Sequence, residues 1–221
     1  MDTRSTSRRG VAIPDHNLNV RPMLFAGDDG ALVAALRKGH PGAATALFDR
    51  HVAHVQRVVI RIMGADDEIP DLVNEVFYQA LRSIHSLRDP DRLGGWMTRI
   101  AVFTARKCIR SRKRRSWLRI VGDDQIPEPA WSAPVESSDE SVELYGQVRR
   151  IMDRMPVDER IVFSLRYMDG MEIADLADAC GLSLRTAKRR LARCETRFKA
   201  LAATEPLVRM RLDAGGKWRN R

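Results

Sequence analysis

The chain has 221 residues, in which 38 lysines and arginines stand against 29 aspartates and glutamates, a formal net charge of +9. Apolar residues make up 44% of the chain, enough for one large or two small hydrophobic cores. No apolar run approaches the ~18–20 residues of a membrane span, no signal peptide is visible, and three cysteines without a CxxC or Cys/His cluster support neither a disulfide framework nor a zinc site. We expect a soluble cytoplasmic protein, without membrane insertion, whose partner is acidic.

The N-terminal part of the chain combines a polar arm with a helical region. Residues 1–30 are mostly polar and lack periodicity, which predicts a disordered arm. Residues 31–118 carry helical patterns and form the first predicted domain. Within it, Pro41 opens a segment whose apolar residues recur every three to four positions as far as Gly64, so we expect an amphipathic helix between the two.

Two further helices are predicted in this first domain. Pro70 stands where a helix tolerates proline, in its first turn, and the residues after it have an apolar inner face and a polar outer face. Residues 86–95 contain Pro90 and a glycine pair and predict a loop. A long basic helix then runs from about Leu93 to Trp117.

The second half of the chain predicts a linker, another helical domain and a tail. Residues 119–140 contain three prolines, a serine pair and acidic residues, a composition typical of a flexible linker. Residues 141–203 fit four short helices, and 204–221 resemble a basic tail. Because no segment requires a strand, the predicted fold class is all-α, with two small helical domains joined by a flexible acidic linker.

The charges are unevenly distributed along the chain. Nine bases and no acid lie between Leu93 and Gly122, and seven acids and no base lie between Ile120 and Val148. The segment from Leu182 to Lys199 is basic again. Two basic regions separated by an acidic spacer indicate two contact sites for a polyanion, joined by a segment that the polyanion does not contact. The alternative is two solvated helix faces and an acidic loop.

Residues 172–193 have the pattern of a helix-turn-helix. Gly181 suits the turn because glycine readily adopts positive φ, and Ser183 suits the N-cap of the second helix. The apolar residues of that helix should face inward, while its opposite face is basic and narrow enough to enter the DNA major groove. The alternative is a helical hairpin that does not bind DNA. The predicted inner face consists of Leu184, Ala187, Leu191, Cys194 and Phe198.

Three further motifs surround this pattern. Asp71–Phe77 (DLVNEVF) resembles D-L-V-Q-E-V-F, Gly95–Ala101 (GWMTRIA) resembles W-L-x-x-I-A, and Met155–Phe163 (MPVDERIVF) resembles L-P-x-x-x-R-x-V-F. Together with the helix-turn-helix, these motifs are similar in kind and order to those of bacterial extracytoplasmic-function (ECF) sigma factors. This family is the small two-domain group of sigma-70 RNA polymerase subunits.

The resemblance implies binding to core RNA polymerase and to promoter DNA. The first domain would dock on polymerase and hold the minus-ten element as separated strands, and the second would read the minus-thirty-five element as duplex. The implied polymerase-binding residues are Asp71, Leu72, Asn74, Glu75 and Tyr78. The implied minus-ten residues are Arg92, Arg99, Arg106, Lys107, Arg110, Arg112 and Arg114. The implied minus-thirty-five residues are Arg185, Thr186, Lys188, Arg189 and Arg193.

Several points stay open at this level. Trp96 either stacks on a base or packs in the core. The resemblance implies no cofactor, no metal, no catalysis and no small-molecule substrate, and it suggests an anti-sigma factor as a further partner. A free-standing helix-turn-helix regulator that binds DNA without polymerase is the main competing function. A nucleic-acid enzyme is disfavoured, because His51 and His54 share a helix face but no third ligand or nucleophile is identifiable.

Overall fold

The structure, a computed structural model, describes residues 25–64, 66–119 and 139–215. All regular elements in these ranges are helical, which confirms the predicted all-α class. The predicted arm up to residue 24 and the linker residues 120–138 lie outside the described residues. The α-helices of the described ranges are α1 (Asp29–Arg37), α2 (Ala43–Met63), α3 (Ile69–Ser83), α4 (Leu93–Arg119), α5 (Asp139–Arg154), α6 (Val157–Phe163), α7 (Ile173–Cys180), α8 (Leu184–Ala202) and α9 (Pro206–Asp213).

Helix α4 is the central element of the described chain. It packs against α2 and α3 of the first half and against α6 and α7 of the second half. Met97, Ala101, Val102 and Ala105 form its buried side, and their small or flexible side chains allow neighbouring helices to approach closely. The predicted loop 86–95 contains part of two short 3-10 segments, Ile84–Ser86 and Pro90–Arg92, and α4 begins at Leu93 as predicted.

The second half contains the predicted helix-turn-helix, formed by α7 and α8. Gly181 has φ of 66°, and the Ser183 hydroxyl accepts a hydrogen bond from the Thr186 amide at 3.2 Å, which caps α8. The Phe198 ring stacks on Phe163 of α6, with 4.3 Å between ring centroids. Leu184 is an exception to the predicted inner face, since 45% of it is exposed. It lies in the first turn of α8, where no neighbouring element covers it.

An additional helix replaces part of the predicted C-terminal tail. Residues Pro206–Asp213 form α9, which packs against α5. The Gln147 side-chain oxygen accepts hydrogen bonds from the first free backbone amides of this helix, and Val208 is fully buried. Glu205 also forms an ion pair of 3.0 Å with Arg150. These contacts join sequence-distant residues, which explains why composition alone suggested a tail.

The two halves meet where α2 ends. Arg160 of α6 is almost fully buried and donates hydrogen bonds to the carbonyl oxygens of Ile62 (2.8 Å) and Met63 (2.9 Å) and to Asp153 (2.7 Å). Carbonyl groups at the end of a helix lack intrahelical partners, so Arg160 acts as a cap from the other half of the chain. Burial lowers the pKa of Arg160 to about 10, and the group therefore stays charged at neutral pH.

Among the helices of the described ranges, none combines the length and the hydropathy needed to cross a membrane.

We predict that Arg160→Ala lowers the free energy of unfolding by about 3 kcal/mol, because it leaves buried carbonyl groups unpaired. Arg160→Lys should lose most of the same stability, since an ammonium group cannot span three acceptors in different directions. Urea denaturation monitored by circular dichroism measures both changes. The control is Arg154→Ala, which removes an exposed guanidinium hydrogen-bonded to Thr204 and should change stability by about 0.5 kcal/mol or less. Equal effects at the two positions would contradict the capping role.

Candidate protein-docking and nucleic-acid interfaces

The outer face of α3 is polar and open to solvent. Asp71 and Asn74 are exposed, and their side chains form no hydrogen bond or ion pair with any residue in the described ranges. Glu75 is half-buried and accepts a 2.7 Å hydrogen bond from Gln79. An acidic residue in the first turn of a helix is favoured by the helix dipole. The two carboxylates, one turn apart, therefore form an acidic surface at the N-terminal end of α3.

An aromatic residue continues this surface toward the end of α3. Tyr78 is 53% exposed, and the Arg82 guanidinium lies 5.5 Å from its ring centroid. Leu72 requires a correction, because it is buried at 9% exposure and packs in the core. It positions the helix and does not belong to the outer face. Among the described residues, the second half of the chain packs mainly against α2 and α4, and Asp71, Asn74 and Tyr78 of α3 stay exposed.

The candidate minus-ten residues differ in solvent exposure and in whether a carboxylate of the same chain pairs with them. Arg99, Lys107 and Arg114 are exposed, and 73% of the Arg92 side chain is accessible beside Asp89 at 3.7 Å. These four residues present cations that a nucleic-acid strand can reach. The other three predicted residues of this group are held by carboxylates within the chain.

Arg112 belongs to a local ion-pair network. Its guanidinium hydrogen-bonds to Asp66 at 2.8 Å and pairs with Glu68 at 2.7 Å. These bonds lower the pKa of both carboxyl groups below their ordinary values and raise the pKa of Arg112. The network fixes the turn that precedes α3, so the structure gives Arg112 a positioning role that its sequence context did not reveal.

Asp158 of α6 joins the two candidate DNA surfaces. One carboxylate oxygen lies 3.0 Å from Nε of Arg106, without the angle of a hydrogen bond, and the other lies 3.2 Å from Arg110. Arg190 of α8 approaches the same carboxylate at 3.8 Å. Because α7 also packs against α4, part of the basic surface of α4 is covered by the second half. Sequence reasoning missed Asp158, since its partners on α4 lie about 50 residues earlier in the chain.

The outer face of α8 remains accessible. Arg185, Lys188 and Arg189 are exposed, and 68% of the Arg193 side chain is accessible although Glu159 lies 4.0 Å away. Thr186 is half-buried, and its hydroxyl lies 2.8 Å from that of Ser183 at the helix cap. A helix with one buried and one cationic side is suited to enter the major groove of duplex DNA.

Two family models match the chain in the order of its two halves. The model described as "Sigma-70 region 2" matches residues 47–115, and the one described as "Sigma-70, region 4" matches residues 145–196. Together they cover more than half of the chain. The first match contains α3 and most of α4, and the second contains α6, α7 and most of α8.

Curated relatives are similar over most of their length. An ECF RNA polymerase sigma-E factor from Haemophilus influenzae is 29% identical over 175 residues, which cover 75% of this chain and 90% of the relative. A protein of the same description from Escherichia coli strain K12 is 28% identical over 191 residues, covering 82% of this chain and 96% of the relative.

Two solved structures have a similar fold. The CnrH chain, solved in complex with the cytosolic domain of CnrY, is 21% identical to this chain, with a TM-score of 0.54. The match covers 80% of this chain and 98% of the CnrH chain. The sigma factor RpoE from Bartonella quintana, solved with the anti-sigma factor NepR, is 19% identical to this chain, with a TM-score of 0.52. The match covers 72% of this chain and 95% of the RpoE chain.

We predict that Asp158→Ala loosens the contact between the two halves, because Arg106 and Arg110 of α4 lose their carboxylate partner on α6. Each partly exposed ion pair contributes about 0.2–1 kcal/mol, so loss of the two pairs should raise the ratio of open to closed molecules about 2- to 30-fold. Small-angle X-ray scattering should show a larger radius of gyration, and ~1 M salt should reduce the difference from the wild type by screening. Asp213→Ala removes an exposed carboxylate near Arg209 only and should leave the scattering unchanged. Identical scattering from both variants and the wild type would disprove the role of Asp158.

Proposed function

The chain belongs to the sigma-70 family, and from this premise we propose that it is an ECF-type sigma factor that binds core RNA polymerase, recognises promoter DNA and helps to open it. The observation that carries the proposal is the ordered pair of sigma-70 region matches, each of which falls on helices with a suitable exposed surface. The acidic face of α3 lies in the first match, and the cationic face of α8 lies in the second.

Polymerase docking is assigned to the outer face of α3. Asp71 and Glu75 would pair with basic groups of the largest subunit, Asn74 would add a hydrogen bond, and Tyr78 would add apolar contact. Charged groups at the edge of an interface steer association, and an aromatic residue supplies contact energy. The exposure of Asp71 and Asn74 supports this assignment, because their side chains have no hydrogen-bond or ion-pair partner among the described residues that docking would displace.

The minus-ten element is assigned to the exposed cations of the loop and α4. Arg92, Arg99, Lys107 and Arg114 would follow the phosphates of the separated strands. Arg106 and Arg110 would join them once Asp158 releases both guanidinium groups. A phosphate group can replace the carboxylate at each arginine, so the exchange conserves ion pairs.

The minus-thirty-five element is assigned to α8. Lys188, Arg189 and Arg193 would reach base edges in the major groove, and Arg185 and Thr186 would lie nearer the DNA backbone. To contact both elements, the two halves must separate from the arrangement seen here. The segment between α4 and α5, residues 120–138, can span at most about 65 Å at ~3.4 Å per residue, comparable with two duplex turns of ~35 Å each.

The two surfaces suggest an order of events. The α3 face is free in the closed arrangement, whereas part of the α4 surface is covered. Polymerase docking would therefore come first, and promoter contacts would follow separation of the halves. The relatives solved with CnrY and NepR support the proposal that an anti-sigma factor also binds this chain. The proposed activity needs no catalysis, cofactor or small-molecule substrate, and it would take place in the cytoplasm, where polymerase works.

We expect Asp71→Lys/Glu75→Lys to abolish binding to bacterial core polymerase, because both carboxylates are replaced by the charge of their partners. A pull-down with purified core polymerase measures binding, and transcription from a promoter library measures function. The matched control Asp49→Lys/Asp213→Lys changes the net charge by the same amount at exposed sites outside α3 and should bind normally. A wild-type chain that ignores core polymerase but binds duplex DNA would instead be a free-standing regulator.

Each single substitution of Lys188, Arg189 or Arg193 by alanine should reduce the discrimination between bases at one promoter position by about 1–3 kcal/mol, because a bidentate contact to that base is lost. Sequencing of transcripts from a randomised minus-thirty-five library measures this preference. Arg209→Ala removes an exposed arginine of α9 and serves as the control. Uniformly weaker transcription without a change in base preference would show that these side chains contact only phosphates.

A further inference from the structure

A buried carboxylate of α6 lies beneath the cationic face of α8. Only 9% of the Glu159 side chain is exposed. Its Oε2 accepts a 2.6 Å hydrogen bond from Nε of Arg197, and its Oε1 lies 4.0 Å from Nε of Arg193. A carboxylate removed from water needs such partners, because an unpaired buried charge is strongly destabilising. Glu159 therefore depends on two arginines of the helix that faces DNA in the proposed function.

These two arginines keep their outer ends available. They are one helical turn apart, so Arg193 and Arg197 lie on the same face of α8, with 68% and 45% of their side chains exposed. Both face Glu159 through Nε, and their terminal nitrogens have no hydrogen-bond or ion-pair partner within the described ranges. Each guanidinium group therefore retains a pair of terminal nitrogens for a bidentate contact outside the chain.

Packing between α6 and α8 fixes the position of the carboxylate. Phe163, one turn after Glu159, stacks on Phe198, the residue that follows Arg197, with 4.3 Å between ring centroids. Both rings are buried at 2% exposure. Because these contacts lie entirely within the second half of the chain, separation of the two halves leaves them in place.

The acidic residue of α8 itself does not serve these arginines. Glu195 accepts a hydrogen bond from the Tyr167 hydroxyl, which directs its carboxylate toward the segment after α6. It lies two positions from each arginine, and side chains two positions apart do not face each other on a helix. In the part of the chain that the structure describes, Glu159 is thus the carboxylate that pairs with Arg193 and Arg197.

The location of Arg197 along α8 favours a contact with the DNA backbone. It lies about 20 Å from the start of the helix at ~1.5 Å per residue, whereas the major groove is ~12 Å wide. When the first turns of a recognition helix enter the groove, its later residues reach the phosphates. Arg193 lies about 6 Å nearer the first turns, where base edges are within reach.

We propose that Glu159 is a positioning residue for recognition of the minus-thirty-five element: its carboxylate directs Arg193 to a base edge and Arg197 to a flanking phosphate, and it keeps both side chains away from phosphates elsewhere. The proposal rests on the function proposed above and adds the residue that gives these arginines their direction. A free arginine binds any phosphate within reach, which supplies affinity without sequence preference. An arginine held by an internal carboxylate must first break that pair, so the pair disfavours incorrect sequences.

The first test measures base preference with holoenzyme assembled from the full chain and core polymerase. Transcripts from a randomised minus-thirty-five library identify the base position at which Arg193→Ala loses discrimination. Glu159→Gln keeps the size of the side chain and removes its charge, and discrimination at that same position should fall about 2- to 12-fold, the range for losing the ordering of one long side chain. A loss of stability alone would lower transcription from all promoters equally.

The second test measures binding of the full chain alone to duplex DNA of unrelated sequence, by fluorescence anisotropy at several salt concentrations. Glu159→Gln should bind this DNA about 2- to 30-fold more tightly, because two partly exposed ion pairs no longer compete with phosphate. The slope of log K against log salt should become steeper by about 0.9 for each arginine released. Destabilised protein would bind more weakly, so this gain separates positioning from a structural role.

Arg197 has a test of its own. Arg197→Ala should flatten the salt dependence of promoter binding by holoenzyme by about 0.9 and should leave base preference unchanged, because a phosphate contact carries no sequence information. Arg197→Lys keeps the charge and should restore the slope. An unaltered slope in Arg197→Ala would exclude its contact with phosphate.

Two further variants serve as controls. Glu195→Gln makes the same change of charge on α8 itself and should leave base preference unchanged. Glu159→Met/Arg197→Met replaces the ion pair by apolar side chains at constant net charge, a change that buried pairs tolerate, and should lose discrimination at the Arg193 position as Glu159→Gln does. If Glu159→Gln fails to fold, this double variant decides.

The possible outcomes distinguish the proposal from the function on which it rests. Unchanged base preference in the folded Glu159 variants would overturn the positioning role, as would equal effects of Glu159→Gln and Glu195→Gln. Absence of any base preference that depends on Arg193 would overturn it as well. Failure of the wild type to bind core polymerase would instead overturn the proposed function itself.

Discussion

Helix α6 holds the two halves of the chain together with two charges of opposite sign. Arg160 caps the end of α2, and Asp158, two residues earlier, receives the arginines of α4. The two contacts differ in burial, because Arg160 is almost fully enclosed whereas 34% of the Asp158 side chain is exposed. A buried charge is costly to leave unpaired, and an exposed pair is readily exchanged. The interface between the two halves therefore combines a firm contact at Arg160 with an exchangeable contact at Asp158.

The exchangeable contact at Asp158 lowers the cost of separating the two halves, which the proposed DNA binding requires. A carboxylate and a phosphate satisfy a guanidinium group in the same way, so in the proposed DNA complex phosphates would replace Asp158 at Arg106 and Arg110 and conserve these ion pairs. The many phosphates of a strand also release counterions when they bind, which a single carboxylate does not. The balance between the closed and the DNA-bound arrangement is then set by salt, polymerase and promoter together.

Helix α4 can serve both the core and the proposed DNA surface because its buried and exposed sides differ chemically. Ala101 and Ala105 are fully buried, while Arg99, Phe103 and Lys107 stay outside. The buried side fixes the rotation of the helix, and that rotation decides which residues reach solvent. The proposed docking surface on α3 is fixed in the same way, since burial of Leu72 and Val76 directs Asp71 and Asn74 outward.

The sequence alone determined the fold class, most helix bounds and the family, because these depend on local periodicity, capping residues and ordered motifs. Pro41, Gly64, Pro70, Gly181 and Ser183 each act on their immediate neighbours. Tertiary structure decided which basic residues are free. Arg112 pairs with Asp66, Arg106 and Arg110 pair with Asp158, and Gln147 caps α9, across separations of about 46 to 61 residues. Such pairs depend on the packing of whole helices, and no local pattern encodes them.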